Sequence, residues 1–333
     1  MADSSLSAIR TKVRRLTRSP SNAQITNDQI DEYVNTSVQY DLPEHMKLQA
    51  LKTTLTFYTT PYIDFYETNT VSSTHPLYNF VNKYYSIDKP VYVDGYEQFL
   101  SQNRQQFYNL YPKITYTEAI GTGTTTVFSG TLTNIPVLPN QLSFTSVNSS
   151  GTPIIIRDLV DTNGQGVPIP TGTLSTPDGN TSVGTINYET GVYSITMPDT
   201  PASGENVNAN YVSTVVGRPT AVLYFQNIFY MRPVPDGVYR VEVDAYRRAT
   251  ELLESSDTPE LEQWWQYIAY LASKKVFEDR MDMESVQMIM PELKNQENLA
   301  LRRTIVNQTK ERTATIYTSQ LEGSGWNWWG NNF

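Results

Sequence analysis

The middle of the chain, residues 114–216, places the strongest constraint on the fold. It holds a single basic residue, Arg157, and shows no apolar spacing typical of a helix. Short runs of β-branched and aromatic residues alternate with turn signals, which are Asn163-Gly164, Asp178-Gly179, Glu189-Thr190-Gly191 and Ser203-Gly204. Such runs, bounded by turns containing glycine, are typical of antiparallel strands. The segment is therefore predicted to form an antiparallel β-sandwich or small barrel.

The segment before residue 60 has the apolar spacing of helices instead. Apolar residues recur there every three or four positions, which places them on one helix face. Thr26 and Gln29 have the spacing of a capping box at the start of the second helix, and Pro43 suits the first turn of a third. The three predicted stripes are Leu6, Ile9, Val13 and Leu16; Ile30, Tyr33, Val34 and Val38; and Leu48, Leu51, Leu55 and Tyr58.

The segment after residue 216 combines strands with helices. Residues 221–229 and 238–246 are predicted strands, and the two prolines and Asp236-Gly237 between them predict a turn and hence a β-hairpin. Thr258-Pro259-Glu260 predicts a helix start. A further helical stretch, broken near Pro291, is expected to continue to about residue 313.

Together these patterns predict an α+β fold. Its core consists of N- and C-terminal helices plus a β-hairpin, with the antiparallel β-sandwich or barrel domain inserted. The predicted parts are the first half of the helical core (1–113), the inserted β domain (114–216), the hairpin and C-terminal helices that complete the core (217–322), and a flexible aromatic tail (323–333).

Composition excludes several classes of protein. The chain has no cysteine, so disulfides, thiolate zinc sites and thiol nucleophiles are excluded. The basic, polar stretch 1–18 lacks the apolar run of a signal peptide, and no window is apolar enough for a membrane span. A net charge of −9 argues against broad nucleic-acid binding. The 23 tyrosines indicate either extensive protein contact or simply the preferences of a β domain.

The candidate catalytic and metal-binding residues do not form an active-site pattern. His45 and His75 lie in different segments, without the spacing of metal ligands. Residues 161–166 begin like a calcium loop, but the glutamate expected at position twelve is Gly172, so a hairpin turn is predicted. The acidic pairs Asp41/Glu44 and Glu242/Asp244 lack an acid–base partner set. We therefore predict that the protein is not an enzyme and has no cofactor or metal.

Two segments are candidate contact sites. On the polar face of the first helix, Lys12, Arg14, Arg15 and Arg18 are expected either to contact DNA phosphates or an acidic partner subunit, or to be a solvated face. The tail carries exposed aromatic residues that a partner pocket or the parent core would have to cover. They are Trp326, Trp328, Trp329 and Phe333.

Several motifs resemble those of the neck and adaptor proteins of tailed bacteriophages. The first is the strand–turn–strand run 229–243 (FYMRPVPDGVYRVEV), followed by Ala245-Tyr246. The second is Leu16-Thr17-Arg18 ahead of 25–35 (ITNDQIDEYVN), and the third is the layout of the closing helices from Trp264 to beyond Leu301. Residues 184–191 (GTINYETG), with 192–197 and 207–211, are similar to small β modules of phage neck and baseplate proteins.

The resemblance implies a head-to-tail connector in the neck of a virion, made in the host cytoplasm. Such proteins form a homo-oligomeric ring, commonly a dodecamer, docked beneath the portal protein and joined below to a tail or further neck protein. Double-stranded DNA passes through the lumen without sequence-specific binding. The tail would reach onto the portal or a neighbouring subunit, and no membrane is involved.

An alternative from another class is a tail, baseplate or fibre protein whose β domain binds a host-surface glycan. Exposed aromatic side chains in the β segment would favour it. The candidates are Tyr188, Tyr193 and Tyr211, for each of which packing in the strand core is the other interpretation.

Overall fold

The computed structural model describes residues 3–42, 49–70, 72–179, 181–260 and 262–302. The fold is α+β, as predicted, and these residues form two β-sheets, of which the eight-stranded one is barrel-like. The chain divides into two compact units. A helical unit comprises residues 1–53 and 246–333, and a β unit comprises residues 54–245. The predicted boundaries at 113/114 and 216/217 both fall inside the β unit.

The helices, numbered in chain order, are α1 (Leu6–Leu16), α2 (Asn27–Thr36), α3 (Phe80–Lys83), α4 (Arg104–Leu110), α5 (Trp265–Asp279) and α6 (283–302). Helix α2 continues into a π-helical turn at Ser37–Asp41, and short 3-10 turns lie at Gln49–Leu51 and Glu262–Trp264. In the helical unit, α1 and α2 both pack against α5.

The N-terminal helices form where the sequence predicts them. Leu6, Ile9 and Val13 are fully buried along α1. The predicted capping box at the start of α2 is present, because the Gln29 amide donates to the Thr26 hydroxyl while the Gln29 side chain accepts from the Thr26 amide. This reciprocal pair satisfies two backbone donors that a helix start otherwise leaves open.

The strands are β1 (Lys52–Tyr58), β2 (Phe65–Glu67), β3 (Tyr84–Val93), β4 (Tyr96–Ser101), β5 (Ile114–Thr122), β6 (Val127–Thr131), β7 (Val137–Val147), β8 (Pro153–Thr162), β9 (Pro168–Ser175), β10 (Ser182–Asn187), β11 (Val192–Thr196), β12 (Asn206–Ser213), β13 (Ala221–Phe225), β14 (Ile228–Arg232) and β15 (Arg240–Arg247). Strands β5 to β12 form an eight-stranded sheet in the order β5-β12-β7-β8-β9-β10-β11-β6. The remaining strands form a seven-stranded sheet in the order β1-β15-β3-β4-β13-β14-β2.

The eight-stranded sheet lies within the segment predicted to be β-rich. Its neighbouring strands pair antiparallel, and its two end strands, β5 and β6, approach each other, so the sheet curls like a barrel. The predicted turns join β8 to β9, β9 to β10, β10 to β11, and β11 to β12. Gly179, Gly191 and Gly204 there adopt positive φ angles, which glycine tolerates without steric cost.

The predicted third helix is wrong where the structure describes it. Residues Lys52–Tyr58 form β1, and Pro43 and Leu48 lie outside the described residues. The helical spacing of Leu51, Leu55 and Tyr58 is accidental, because Tyr58 is exposed while Phe57 is buried. Alternating burial of Leu55 and Phe57, in a run rich in threonine and aromatic residues, is the pattern of a half-buried strand.

The predicted hairpin over residues 221–246 is also wrong. A tight turn at Gln226-Asn227 divides the first predicted strand into β13 and β14, which pair with each other. Strand β15 lies between β1 and β3, away from β14. Both turn residues have positive φ, which asparagine adopts more readily than most residues. The predicted alternation in β15 is confirmed, since Val241, Val243 and Ala245 are fully buried.

The C-terminal helices differ from the prediction in their bounds. Helix α5 begins at Trp265 after a 3-10 turn, not at Thr258. Glu260 instead accepts a hydrogen bond from the Thr250 hydroxyl at 2.7 Å and forms an ion pair with Arg247 at 3.1 Å. Helix α6 runs through Pro291 without the predicted break. Proline has no amide N–H, so the carbonyl four residues before Pro291 loses its helical hydrogen bond. Pro291 is exposed, which places this part of the helix on the side that faces water.

Candidate interaction surfaces

The predicted basic face of α1 contains two kinds of residue: cations that contact other parts of the chain, and cations that are exposed to solvent. The Arg14 guanidinium donates to the carbonyls of Ser21 and Ile25, at 3.1 and 3.0 Å, and to the Asn27 side chain at 2.8 Å. It therefore fixes the loop between α1 and α2 and is not available to a partner. The Lys12 ammonium lies 5.5 Å from the centre of the Tyr270 ring on α5, within the range of a cation–π contact.

Arg15 and Arg18 are the exposed members of that face. Arg15 is in the last turn of α1, and Arg18 follows the helix with a positive φ of 52°. Neither forms an ion pair with another residue that the structure describes. A cation near a helix C-terminus is favoured by the helix dipole, so these positions suit α1 with or without a partner. Contact with DNA or an acidic subunit stays a prediction for these two residues.

An acidic groove lies beside α2, in the helical unit. Its volume is about 490 Å³. The residues lining it are Asp28, Asp31, Glu32, Asn35, Thr36, Gln39, Tyr40, Glu251, Leu252 and Leu253. Asp28, Glu32 and Glu251 are exposed, and so is the apolar side chain of Leu253. The groove thus combines carboxylates with uncovered apolar surface.

Hydrogen bonds hold the two walls of this groove together. The Asn35 amide group donates to the Leu252 carbonyl and accepts from the Leu252 amide, both at 2.9 Å. Arg10 binds Asp31 through two nitrogens, at 2.6 and 2.5 Å, and reaches Ser255 with a third contact at 2.6 Å. Paired contacts of this kind fix geometry as well as charge. Asp31 is therefore neutralised inside the chain, and the Arg10 charge also acts on Asp28. Glu32 forms no ion pair with another residue that the structure describes.

The start of α6 exposes a methionine-rich surface. Met281 is 87% exposed, Met283 60% and Met288 72%. Met288 also lines a cavity of about 420 Å³ with Arg18 and Arg280. Methionine side chains are flexible and polarizable, and adaptable binding surfaces use them often. This surface was not predicted, although four methionines within residues 281–290 are a visible sequence signal.

The three tyrosines proposed for glycan binding are core residues. Tyr188 and Tyr211 are fully buried, and Tyr193 is nearly so. The Tyr188 hydroxyl donates to Asp158 at 2.9 Å, and the Tyr211 hydroxyl donates to Glu118 at 3.2 Å. Burial raises the pKa of the Asp158 carboxyl and also that of the Tyr188 hydroxyl. Their use in strand-core packing is confirmed, and none of them is available to a sugar.

His75, Asp41 and Asp244, which were considered as catalytic candidates, each contact other residues of the chain. His75 is buried, its Nδ1 accepts from the Leu77 amide at 3.1 Å, and burial lowers its pKa. Asp41 forms an ion pair with Lys275 at 2.9 Å, and Asp244 accepts from the Thr54 hydroxyl at 3.0 Å. His45 and Glu44 lie outside the described residues. Within the described ranges, no three His, Asp or Glu side chains cluster as a metal site would require.

A buried ion pair in the β unit was missed by the sequence reasoning. Arg232, only 1% exposed, binds Asp64 at 2.7 Å and donates to the Met231 carbonyl at 2.8 Å. Its second terminal nitrogen, Nη2, is buried with no hydrogen-bond partner among the described residues. Arg232 alternates with buried Met231 in β14, so it lies on the same sheet face as Tyr230. The sequence pattern placed Arg232 in the predicted turn before residue 238, because two prolines follow it closely.

Lys113 lies close enough to this pair to interact with it electrostatically. Partial desolvation of the ammonium group lowers the Lys113 pKa, and the Asp64 charge partly opposes that effect. The Lys113 ammonium is 5.3 Å from the centre of the Tyr108 ring, and the Arg104 guanidinium is 5.8 Å from the same ring. The Arg104 guanidinium also lies 5.5 Å from the centre of the Phe225 ring at the end of β13, so this contact joins α4 to that strand and the cluster is structural.

The predicted docking residues Trp326, Trp328, Trp329 and Phe333 lie outside the described residues. Of the helices that the structure describes, none has the length and apolar character needed to cross a membrane. A scan of the sequence against protein-family models gives no match. A search of curated proteins gives no match either.

Proposed function

We propose that the protein is a structural virion protein, a head-to-tail connector of a tailed bacteriophage that assembles into a ring. In this role, the helical unit packs against copies of itself. The ring joins the portal protein above to a tail or neck protein below, and DNA passes through it. The function requires no catalytic group and no cofactor.

The observation that carries the proposal is the exposed apolar surface of the helical unit. Met281, Met288 and Leu253 are each at least 70% exposed, although α1, α2 and α5 have a well-buried core of their own. Scattered apolar side chains are normal on any surface, but large ones beside a groove and a cavity mark interaction sites. Burying such side chains against another subunit is worth about 1.5–3 kcal/mol each when burial is complete.

The charge of the chain is compatible with a DNA conduit. A net charge of −9 disfavours tight binding to DNA phosphates. A lumen that DNA must pass through freely benefits from this property.

Self-assembly of the purified full chain tests the proposal. Light scattering after size-exclusion chromatography gives the mass in solution, and negative-stain electron microscopy gives the shape. We expect closed rings. Replacing Met281 and Met288 by serine is expected to weaken ring formation, whereas Val192→Ser, at an exposed position of the β unit, is the matched control. A chain that stays monomeric at every concentration would contradict the proposal.

Attachment to the portal is tested separately with the aromatic tail. Deleting residues 323–333 is expected to leave a soluble subunit that still forms rings but no longer binds portal particles. Normal co-assembly of the truncated chain with the portal would count against docking through Trp326, Trp328, Trp329 and Phe333.

A further inference from the structure

We propose that neighbouring copies meet through opposite charges, with the exposed arginines at the C-terminal end of α1 of one copy docked in the acidic groove beside α2 of the next. The inference rests on the proposed ring and names the two surfaces that form its repeated contact. The occupant of the groove is thus a second copy of this chain.

The cationic partner surface consists of Arg15 and Arg18. Both are exposed, and neither makes an ion pair with a described residue. Arg14, which precedes them in sequence, donates to carbonyls of the α1–α2 loop instead. Arg18 shares its cavity with Asp282 and Glu284, so Arg15 carries more of the uncompensated charge.

The anionic surface consists of Asp28, Glu32 and Glu251. Asp28 and Glu32 are four residues apart on α2, which places them on the same helix face about 5–6 Å apart. Glu251 faces the same groove from the chain segment before α5. The Asn35–Leu252 hydrogen bonds fix the position of that segment, so little ordering is needed when a partner arrives.

The two surfaces have opposite charge and lie on one compact unit. A symmetric dimer and a head-to-tail ring can both bring the arginines of one copy to the carboxylates of another, because residue i of one copy meets residue j of the other in either arrangement. We assign this contact to the head-to-tail arrangement because the proposed ring requires two different complementary faces on each copy, and arginine pairs strongly with carboxylates. Contacts of this heterologous kind generate a ring when the rotation between copies closes.

Charge reversal on each surface, alone and combined, tests this contact. One variant is R15E/R18E, and the other is E32K/E251K. Asp28 stays unchanged because a lysine in the first turn of α2 would oppose the helix dipole. The matched controls are R157E and E205K, which reverse exposed charges in the β unit. Circular dichroism checks that each variant is folded, and the association constant of the full chain is measured at low salt.

We expect each double reversal to lower the association constant about tenfold or more. Combining all four changes should restore most of the loss, and added salt should weaken the wild-type contact. Rings that tolerate every reversal would overturn this interface and leave the proposed function standing, whereas a wild-type chain that never self-associates would overturn both. If R15E/R18E still assembles but binds double-stranded DNA more weakly than the wild type does, the two arginines would be assigned to DNA contact instead.

Discussion

Two groups of carboxylates, one in the β unit and one in the helical unit, have opposite surroundings. In the β unit, Asp64, Asp158 and Glu118 accept hydrogen bonds from side chains of the same unit. In the helical unit, Asp28, Glu32 and Glu251 are exposed around an open groove. A buried carboxylate needs its partner in the same fold, because desolvation is otherwise costly. An exposed carboxylate is solvated by water, so it needs no partner in the same fold and can bind one on another molecule. The first group therefore supports stability, and the second is available for recognition.

The largest effect is expected at Arg232. Arg232→Ala leaves Asp64 buried without its cation and should destabilise the β unit by about 3–5 kcal/mol. Urea unfolding, with hydrogen exchange to locate the change, measures it. Arg240→Ala is the matched control, because its ion pair with Glu242 is exposed. The double change R232M/D64L should recover most of the loss, since Nη2 already lacks a partner. A small effect of the single change would contradict the burial of this pair.

A moderate effect is expected at Tyr188. Tyr188→Phe keeps the ring in the core of the eight-stranded sheet but removes the donor to Asp158, which is left with the Leu142 amide at 2.9 Å. We expect a loss of about 1–3 kcal/mol in the free energy of unfolding. Tyr116→Phe, in the same sheet but only partly buried, is the comparison variant. Equal stability of Y188F and wild type would show that the hydroxyl is not needed there.

A smaller effect is expected at the start of α2. Thr26→Ala removes the hydroxyl that caps the helix and should cost about 1 kcal/mol. Thr26→Ser keeps the hydroxyl and should cost much less. The change should appear in hydrogen exchange of the helical unit and leave the β unit unaltered. Equal losses for alanine and serine would contradict the capping role.

The smallest effect on stability is expected at Glu32. This residue tests most directly whether the exposed carboxylates of the helical unit differ in role from the internally bonded carboxylates of the β unit. Glu32→Gln should change the free energy of unfolding by less than about 0.5 kcal/mol, because the residue is an exposed surface position. The E32Q variant should nevertheless associate more weakly with other copies of the chain than the wild type does. A large loss of stability would place Glu32 among the structural carboxylates and remove the distinction between the two groups.

Local patterns allowed some elements to be predicted, because local contacts form them. The apolar stripe of α1, the capping box of α2 and the turns between β8 and β12 depend on neighbours in sequence. β1 could not be predicted, since its partner β15 is supplied by the far end of the β unit. The same is true of the candidate site. Asp28 and Glu32 are four residues apart in the sequence and were not singled out there, and no local pattern brings Glu251 to them.

The register of the eight-stranded sheet has a consequence for how such a protein can vary. Ile114, where the sheet begins, is the direct cross-strand neighbour of Ser213, where it ends. β4 and β13, which flank this stretch of chain, are themselves adjacent in the seven-stranded sheet. A segment whose two ends adjoin can be shortened, exchanged for another or tagged while the strands around it keep their places. The segment from Ile114 to Ser213 could therefore be replaced, in evolution or by protein engineering, by changing the chain at only two junctions.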